Sequence, residues 1–370
     1  MIKDRRLVTR LILSHNSLGD DGCEALFRFL CSDIGRSRRI KEIKLARNGL
    51  GNRGWLAISE YLRDNHVLEE LYIPANEFTP DPAVISAFTA ALNTSHLVKL
   101  NIGSHPTLSD TFIEHFLPAL SSTHLVELHL TMLGLTYTST QYIAAYVKDR
   151  SRCRHLRILL LNANNLECEG IADLVTAIAT GNWGLMELEL YSNTSDQAAY
   201  TEVAKILKQL LLRNQILRRA VAKEATGLLR PARGLLLPPH DPPTCPCPSS
   251  PLPTEPHIPQ LPTEIYLHIL SFLAPTLSPS QHISIFSHAS SYGTLPPLLP
   301  KLFPLDSGCV PDPTNSPLGL AGGKRLPLAG RNTQGCMDGC MKGIVCQREV
   351  LREQWLTAVG CDVYEPVPVP

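Results

Sequence analysis

LILSHNSLGDDGCEAL, residues 11–26, holds two periodicities within sixteen residues. Leu11 and Leu13 stand two apart, the spacing of a short strand with one buried side. Asn16 then turns the chain out of the strand, because its amide bonds to nearby backbone groups where no ladder exists. From Gly19 the spacing changes. In GDDGCEALFRFL, Ala25, Leu26, Phe29 and Leu30 fall at helical intervals, and Asp20 or Asp21 is placed to cap the first turn. The stretch therefore predicts a strand, a turn and a helix.

The same phrase recurs through the first half of the chain. LxxLxL, with Ile or Val allowed for Leu, starts at Val8, Ile40, Leu68, Leu97, Leu125, Leu156 and Leu185, at intervals of 32, 28, 29, 28, 31 and 29 residues. Three positions after its last apolar residue an Asn follows in five of seven copies: Asn16, Asn48, Asn76, Asn164 and Asn193. His105 and Leu133 break the pattern. Helical segments follow each time, as with Trp55, Ile58 and Leu62, then Val84, Ile85, Phe88 and Leu92, then Ile171, Leu174, Val175 and Ile178. One such unit buries too little apolar surface to fold alone, so neighbours must stack, with a parallel sheet on one side and helices on the other.

LILSHNSLGDDGCEAL and LLLNANNLECEGIADL (159–174) resemble the leucine-rich repeats of the ribonuclease-inhibitor type, over roughly residues 1–215. The resemblance implies an α/β horseshoe solenoid, sheet concave and helices convex, over residues 1–237: about seven repeats plus capping helices. After Tyr200 the helical periodicity fits either a degenerate eighth repeat near Leu217 or a capping helix pair. Residues flanking the buried strand positions face the concave surface. That row reads Arg10, Ile12 and Ser14; Glu42, Lys44 and Ala46; Glu70, Tyr72 and Pro74; Lys99, Asn101 and Gly103; Glu127, His129 and Thr131; Ile158, Leu160 and Asn162; Glu187, Glu189 and Tyr191. Mixed charges, two tyrosines and the pair Ile158 and Leu160 suit another protein as partner. A solvated sheet is the alternative.

Formal net charge is zero, from 34 basic and 34 acidic residues, so bulk electrostatics favours neither nucleic acid nor an anionic membrane. No run of 18 apolar residues is present, and no transmembrane helix is expected. The N-terminus lacks a secretory pattern, and eleven cysteines read as reduced thiols, so the expectation is an intracellular protein, cytoplasmic or nuclear, unglycosylated at the sequons Asn93 and Asn193. Between Arg213 and Arg233 stand six basic residues and one acidic. A phosphate-binding patch and a solvated helix face both fit, the second better for want of interleaved aromatics.

From Pro238 to Pro262 eleven of 25 residues are proline, which makes 238–260 an extended linker. LPTEIYLHILSFL (261–273) follows, with Pro262 at a helix start and Ile265, Ile269, Leu270 and Leu273 on an apolar face. This stretch resembles the first helix of an F-box, within a helical segment 261–303. The resemblance implies that Leu261, Pro262, Ile265, Ile269, Leu270 and Leu273 dock the adaptor subunit of an SCF-type ubiquitin ligase, leaving substrate to the repeats. The F-box of that family precedes the repeats, whereas here the segment follows them, and no Cys-Arg-x-Trp or Leu-Trp landmark comes after it. A helical hairpin formed for packing is the other reading.

Residues 304–370 read as a mostly disordered tail with a short helix near 347–359. GLAGGKR lacks the spacing and the Ser or Thr of a phosphate-binding loop. Cys336, Cys340, Cys346 and Cys361 number four thiols, without the CxxC pairs of common zinc sites, so no metal is assigned. HExxH, GxSxG and a dinucleotide loop are absent, and the histidines at 66, 96, 124 and 155 recur in a repeat register. Neither catalysis nor a cofactor is expected. The repeats also resemble those of the Ran GTPase-activating proteins, for which Arg47 and Arg53, in the loops after the second strand, supply no motif match.

Overall fold

The structure, a computed structural model, describes residues 8–237, 261–295 and 347–366. The linker 238–260, residues 296–346 with GLAGGKR, and Cys336, Cys340 and Cys346 lie outside the described residues. The chain divides into two compact units, Met1–Gln215 and Ile216–Pro370.

In the first unit short strands and helices alternate: β1 (Arg10–Ile12), α1 (Gly19–Cys31), α2 (Asp33–Arg36), β2 (Glu42–Lys44), α3 (Asn52–Leu62), β3 (Glu70–Tyr72), α4 (Pro82–Thr94), β4 (Lys99–Asn101), α5 (Ser109–Ala119), β5 (Glu127–His129), α6 (Tyr137–Lys148), α7 (Arg150–Cys153), β6 (Ile158–Leu160), α8 (Glu167–Gly181) and β7 (Glu187–Glu189). A single helix, α9 (Gln197–Leu236), then begins in the first unit and ends in the second. No eighth strand forms there, because the stretch carries helical spacing throughout and no LxxLxL alternation.

All seven strands pair in parallel, in sequence order. The register sets Leu11, Ile43, Leu71, Leu100, Leu128, Leu159 and Leu188 in one inward column. Behind it lies a continuous apolar core, with Trp55 stacked on Phe78 at 4.7 Å and Phe112 on Phe116 at 4.7 Å. The fold is an α/β leucine-rich-repeat solenoid with an open sheet. In α1 the buried face is Cys23, Phe27 and Leu30, whereas Phe29 and Ala25 are exposed. Two overlapping apolar sets share this helix, and the set containing the small Cys23 lies against Gly54 of α3.

Beyond each strand the asparagines form a ladder. The Nδ2 of Asn76 donates to Leu45 and Ile73 carbonyls at 3.1 and 2.9 Å, while its Oδ1 accepts from the backbone of Asn48 at 2.9 Å. Asn48 and Asn164 repeat this geometry. His105 does not break it: Nε2 accepts from the Asn76 N–H at 2.9 Å and Nδ1 faces the Ile102 carbonyl at 2.8 Å. Leu133 is the interruption, since it is fully buried and offers no acceptor. The residue before each ladder position (His15, Arg47, Ala75, Ser104, Met132, Ala163 and Ser192) has φ between 50° and 62°, and none is glycine. Seven left-handed residues, each costing on the order of 1 kcal/mol, persist because the ladder and the next strand hold them.

Described by itself, the second unit packs the end of α9 with α10 (Thr263–Phe272), α11 (Pro279–Ser290), a 3-10 turn (Tyr292–Thr294) and α12 (Gln347–Ala358). Its core joins Val221, Leu228, Leu229, Leu270, Ile285, Trp355 and Leu356. Ser278 and Gln281 form a capping box on α11, and the Gln281 amide also donates to the carbonyls of Gly360 and Val363 at 2.9 and 2.8 Å. Among the described residues no helix is long and apolar enough to cross a membrane.

Candidate functional site

Because the strands are in register, the outward positions become two columns. One runs Arg10, Glu42, Glu70, Lys99, Glu127, Ile158, Glu187, and the other Ile12, Lys44, Tyr72, Asn101, His129, Leu160, Glu189. Over β1 to β5 the charges answer one another. Arg10 pairs with Glu42, and Lys44 reaches the same carboxylate at 2.7 Å. These two cations, Arg10 foremost, hold the Glu42 carboxyl below its usual range. Lys44 also lies 4.7 Å over the Tyr72 ring, and the Tyr72 hydroxyl donates to Glu70 at 2.9 Å. Burial, then that bond, pushes the Tyr72 hydroxyl upward. Lys99 bridges Glu70 at 3.9 Å and Glu127 at 3.2 Å, and His129 lies 2.6 Å from Glu127. The amide oxygen of Asn101 accepts from the Gly103 N–H at 3.0 Å. Three cations and three carboxylates on these strands thus cancel.

At β6 and β7 the pattern stops. Ile158 and Leu160 are half-buried, and beside them stand the carboxylates of Glu187 and Glu189, for which no ion pair with a cation exists among the described residues. Asn162 donates to Glu189 at 2.5 Å, and Tyr191 is 62% exposed. Met132, in the turn after β5, is half exposed too; sequence reading passed over it because it stands outside the strand triplets.

The helix α10 gives a second surface. Leu261, Pro262, Ile265, Ile269 and Leu273 are all exposed, whereas Leu270 is buried in the core of the second unit and serves packing there. The row also gains Phe272, 70% exposed and one turn on from Ile269, a place readable from helical spacing.

The remaining candidates have other work or lie elsewhere. Arg53 is held by Asp21 at 2.8 Å and Glu24 at 2.9 Å on the helical side, and Arg47 occupies a left-handed turn position. The Cys361 thiol is buried and donates to the Val359 carbonyl at 3.6 Å. Among the described residues no group of three or more His, Cys, Asp or Glu is arranged to hold a metal. Asn193 is buried in the ladder, and the Asn93 amide is taken up by Ala119 and Ser121.

No protein-family model matches the chain. It is similar to NACHT, LRR and PYD domains-containing protein 9B of Mus musculus, 31% identical over 163 residues, which is 43% of this chain. That stretch covers 16% of the mouse protein, so the chain matches only a small part of its relative's length.

Proposed function

We propose that this chain is a non-enzymatic interaction scaffold, with repeats of the ribonuclease-inhibitor type, that binds another protein on its concave face. The observation that carries the reading is the uncompensated end of that face. From β1 to β5 every charge already has a partner, so a ligand there gains little net attraction. At β6 and β7, Ile158, Leu160 and Tyr191 offer apolar and aromatic contact beside two carboxylates that form no ion pair among the described residues. A partner segment placing Lys or Arg next to an apolar side chain complements it. The full-length helix in every repeat, from 11 to 15 residues in α1, α3, α4, α5, α6 and α8, supports the repeat type. The test is site-specific photo-crosslinking from position 160 and, as control, from Leu56 on the helical side. Partner adducts should form at 160 and vanish when Glu187 and Glu189 are both changed to Lys. Equal adducts at both sites would remove the concave face from the reading.

A second reading has its own support. The apolar row Leu261, Ile265, Ile269 and Leu273 is exposed while the unit's core is complete without it, which is the arrangement an adaptor-docking helix of an SCF-type ligase needs. The purified adaptor subunit should bind the intact chain and lose binding to an Ile265→Asp, Ile269→Asp variant of unchanged circular dichroism. Absence of binding to the intact chain retires that role.

A further inference from the structure

We propose that the second unit carries an anion site, a cleft between α9 and α12 that takes a small, multiply phosphorylated ligand. Of the six basic residues from Arg213 to Arg233, Arg230 lies outside this cleft and the other five divide by what they touch. Arg213 lies 3.8 Å over the Trp183 ring and donates to carbonyls at the end of α8. Arg218 pairs with Glu353 and donates to the Asp362 carbonyl at 3.1 Å. Arg233 donates to the Thr294 carbonyl at 2.9 Å. The side chains of Arg219 and Lys223 make no hydrogen bond or ion pair with any described residue, and neither does that of Arg352, which α12 brings in from about 130 residues further along.

These three line one cleft of about 450 Å³ together with Arg218, Thr226 and Glu353. Four cations face a single carboxylate, and Arg218 already holds that carboxylate, so the walls carry a surplus of three positive charges in a chain of zero net charge. Arg219 and Lys223, four apart, share a face of α9, and Arg352 closes on them from a second helix. Like charges held together by two packed helices repel one another until an anion enters, and a phosphate oxygen accepts from guanidinium and ammonium groups at once. The volume lies in the range of small-ligand sites. No aromatic side chain lines the cleft, so the site reads phosphate and offers no platform for a base.

Isothermal titration of the full chain with inorganic tripolyphosphate, at about 0.15 M salt, tests this. Binding should be at least about tenfold tighter than for sulfate, and should weaken by about tenfold or more in an Arg219→Gln, Arg352→Gln variant. A Lys208→Gln, Arg230→Gln variant removes the same charge from positions outside the cleft and should bind as the parent does. Equal weakening in both variants, or no preference over sulfate, would overturn the site. Neither pair makes a bond that holds the fold, and equal melting temperatures check that.

Discussion

His105 occupies a ladder place where five repeats use asparagine, and its two ring nitrogens divide the work of an amide. The Nδ1 side faces the Ile102 carbonyl, and Nε2 receives the Asn76 N–H, an arrangement that requires the neutral ring with its proton on Nδ1. Burial lowers the pKa of His105, which keeps that form. Replacing it with Ala leaves the Asn76 N–H without its acceptor and removes the stack on Phe78, at 4.8 Å. A loss of about 1–3 kcal/mol is expected in urea unfolding, with a clearly smaller loss for His105→Asn, which restores an amide. Losses of equal size would mean that the ring only fills space.

At the scale of elements, the starts of α3 and α6 each receive a carboxylate from the preceding repeat. Asp20 was a candidate to cap its own helix, yet α1 starts after Leu18 with no side-chain cap. The Asp20 carboxylate instead accepts from Gly51 and Gly54, at 2.7 and 2.9 Å, at the start of α3. A side chain at Gly54 would put its Cβ 2.8 Å from that oxygen, so the glycine is what lets the carboxylate approach. Asp110 does the same for α6 through the Thr136 N–H, at 2.8 Å. Stacked parallel repeats bring each helix start beside the previous one, and a carboxylate there meets the positive end of the next helix dipole. Asp20→Ala should therefore cost about 1 kcal/mol of stability, as loss of a cap does. Asp21→Ala, which removes an exposed and solvent-screened pair with Arg53, should leave it essentially unchanged. Thermal denaturation of the two variants separates these outcomes.

Over the whole molecule, stacking turns any residue that recurs at one repeat position into a column. His66, His96 and His124 form one just before the strands, with ring centroids 4.3 and 4.0 Å apart, and His155 continues the register. Burial, then the charges that His96, His155 and His66 would carry, lowers the pKa of His124. His105 is lowered as well. The unfolded chain thus takes up protons near the ordinary value of 6.5, before the folded chain does. Stability is complete above that pH and falls as the pH drops from 6.5 toward the lowered folded values. Melting temperature measured from pH 7.5 to 5 should decline below about 6.5. A His96→Gln, His124→Gln variant should decline less. Identical slopes would show that the column plays no part.

The repeat, its strand, turn and helix, and which strand residues alternate with the buried column were legible in the chain itself, because each depends on spacings within about thirty residues that the stacking copies seven times. What the sequence could not assign was the partner of each side chain. Glu42 and Glu187 hold equivalent positions, yet one is enclosed by Arg10 and Lys44 and the other forms no ion pair among the described residues. Leu270 and Ile269 adjoin on one helix, and only the first reaches a core. Arg352 meets Lys223 across a cleft that no local pattern announces. Periodicity is a property of neighbours along the chain, whereas burial and charge compensation are properties of neighbours in space. Tertiary structure alone decided which carboxylates, leucines and arginines remain available to a ligand.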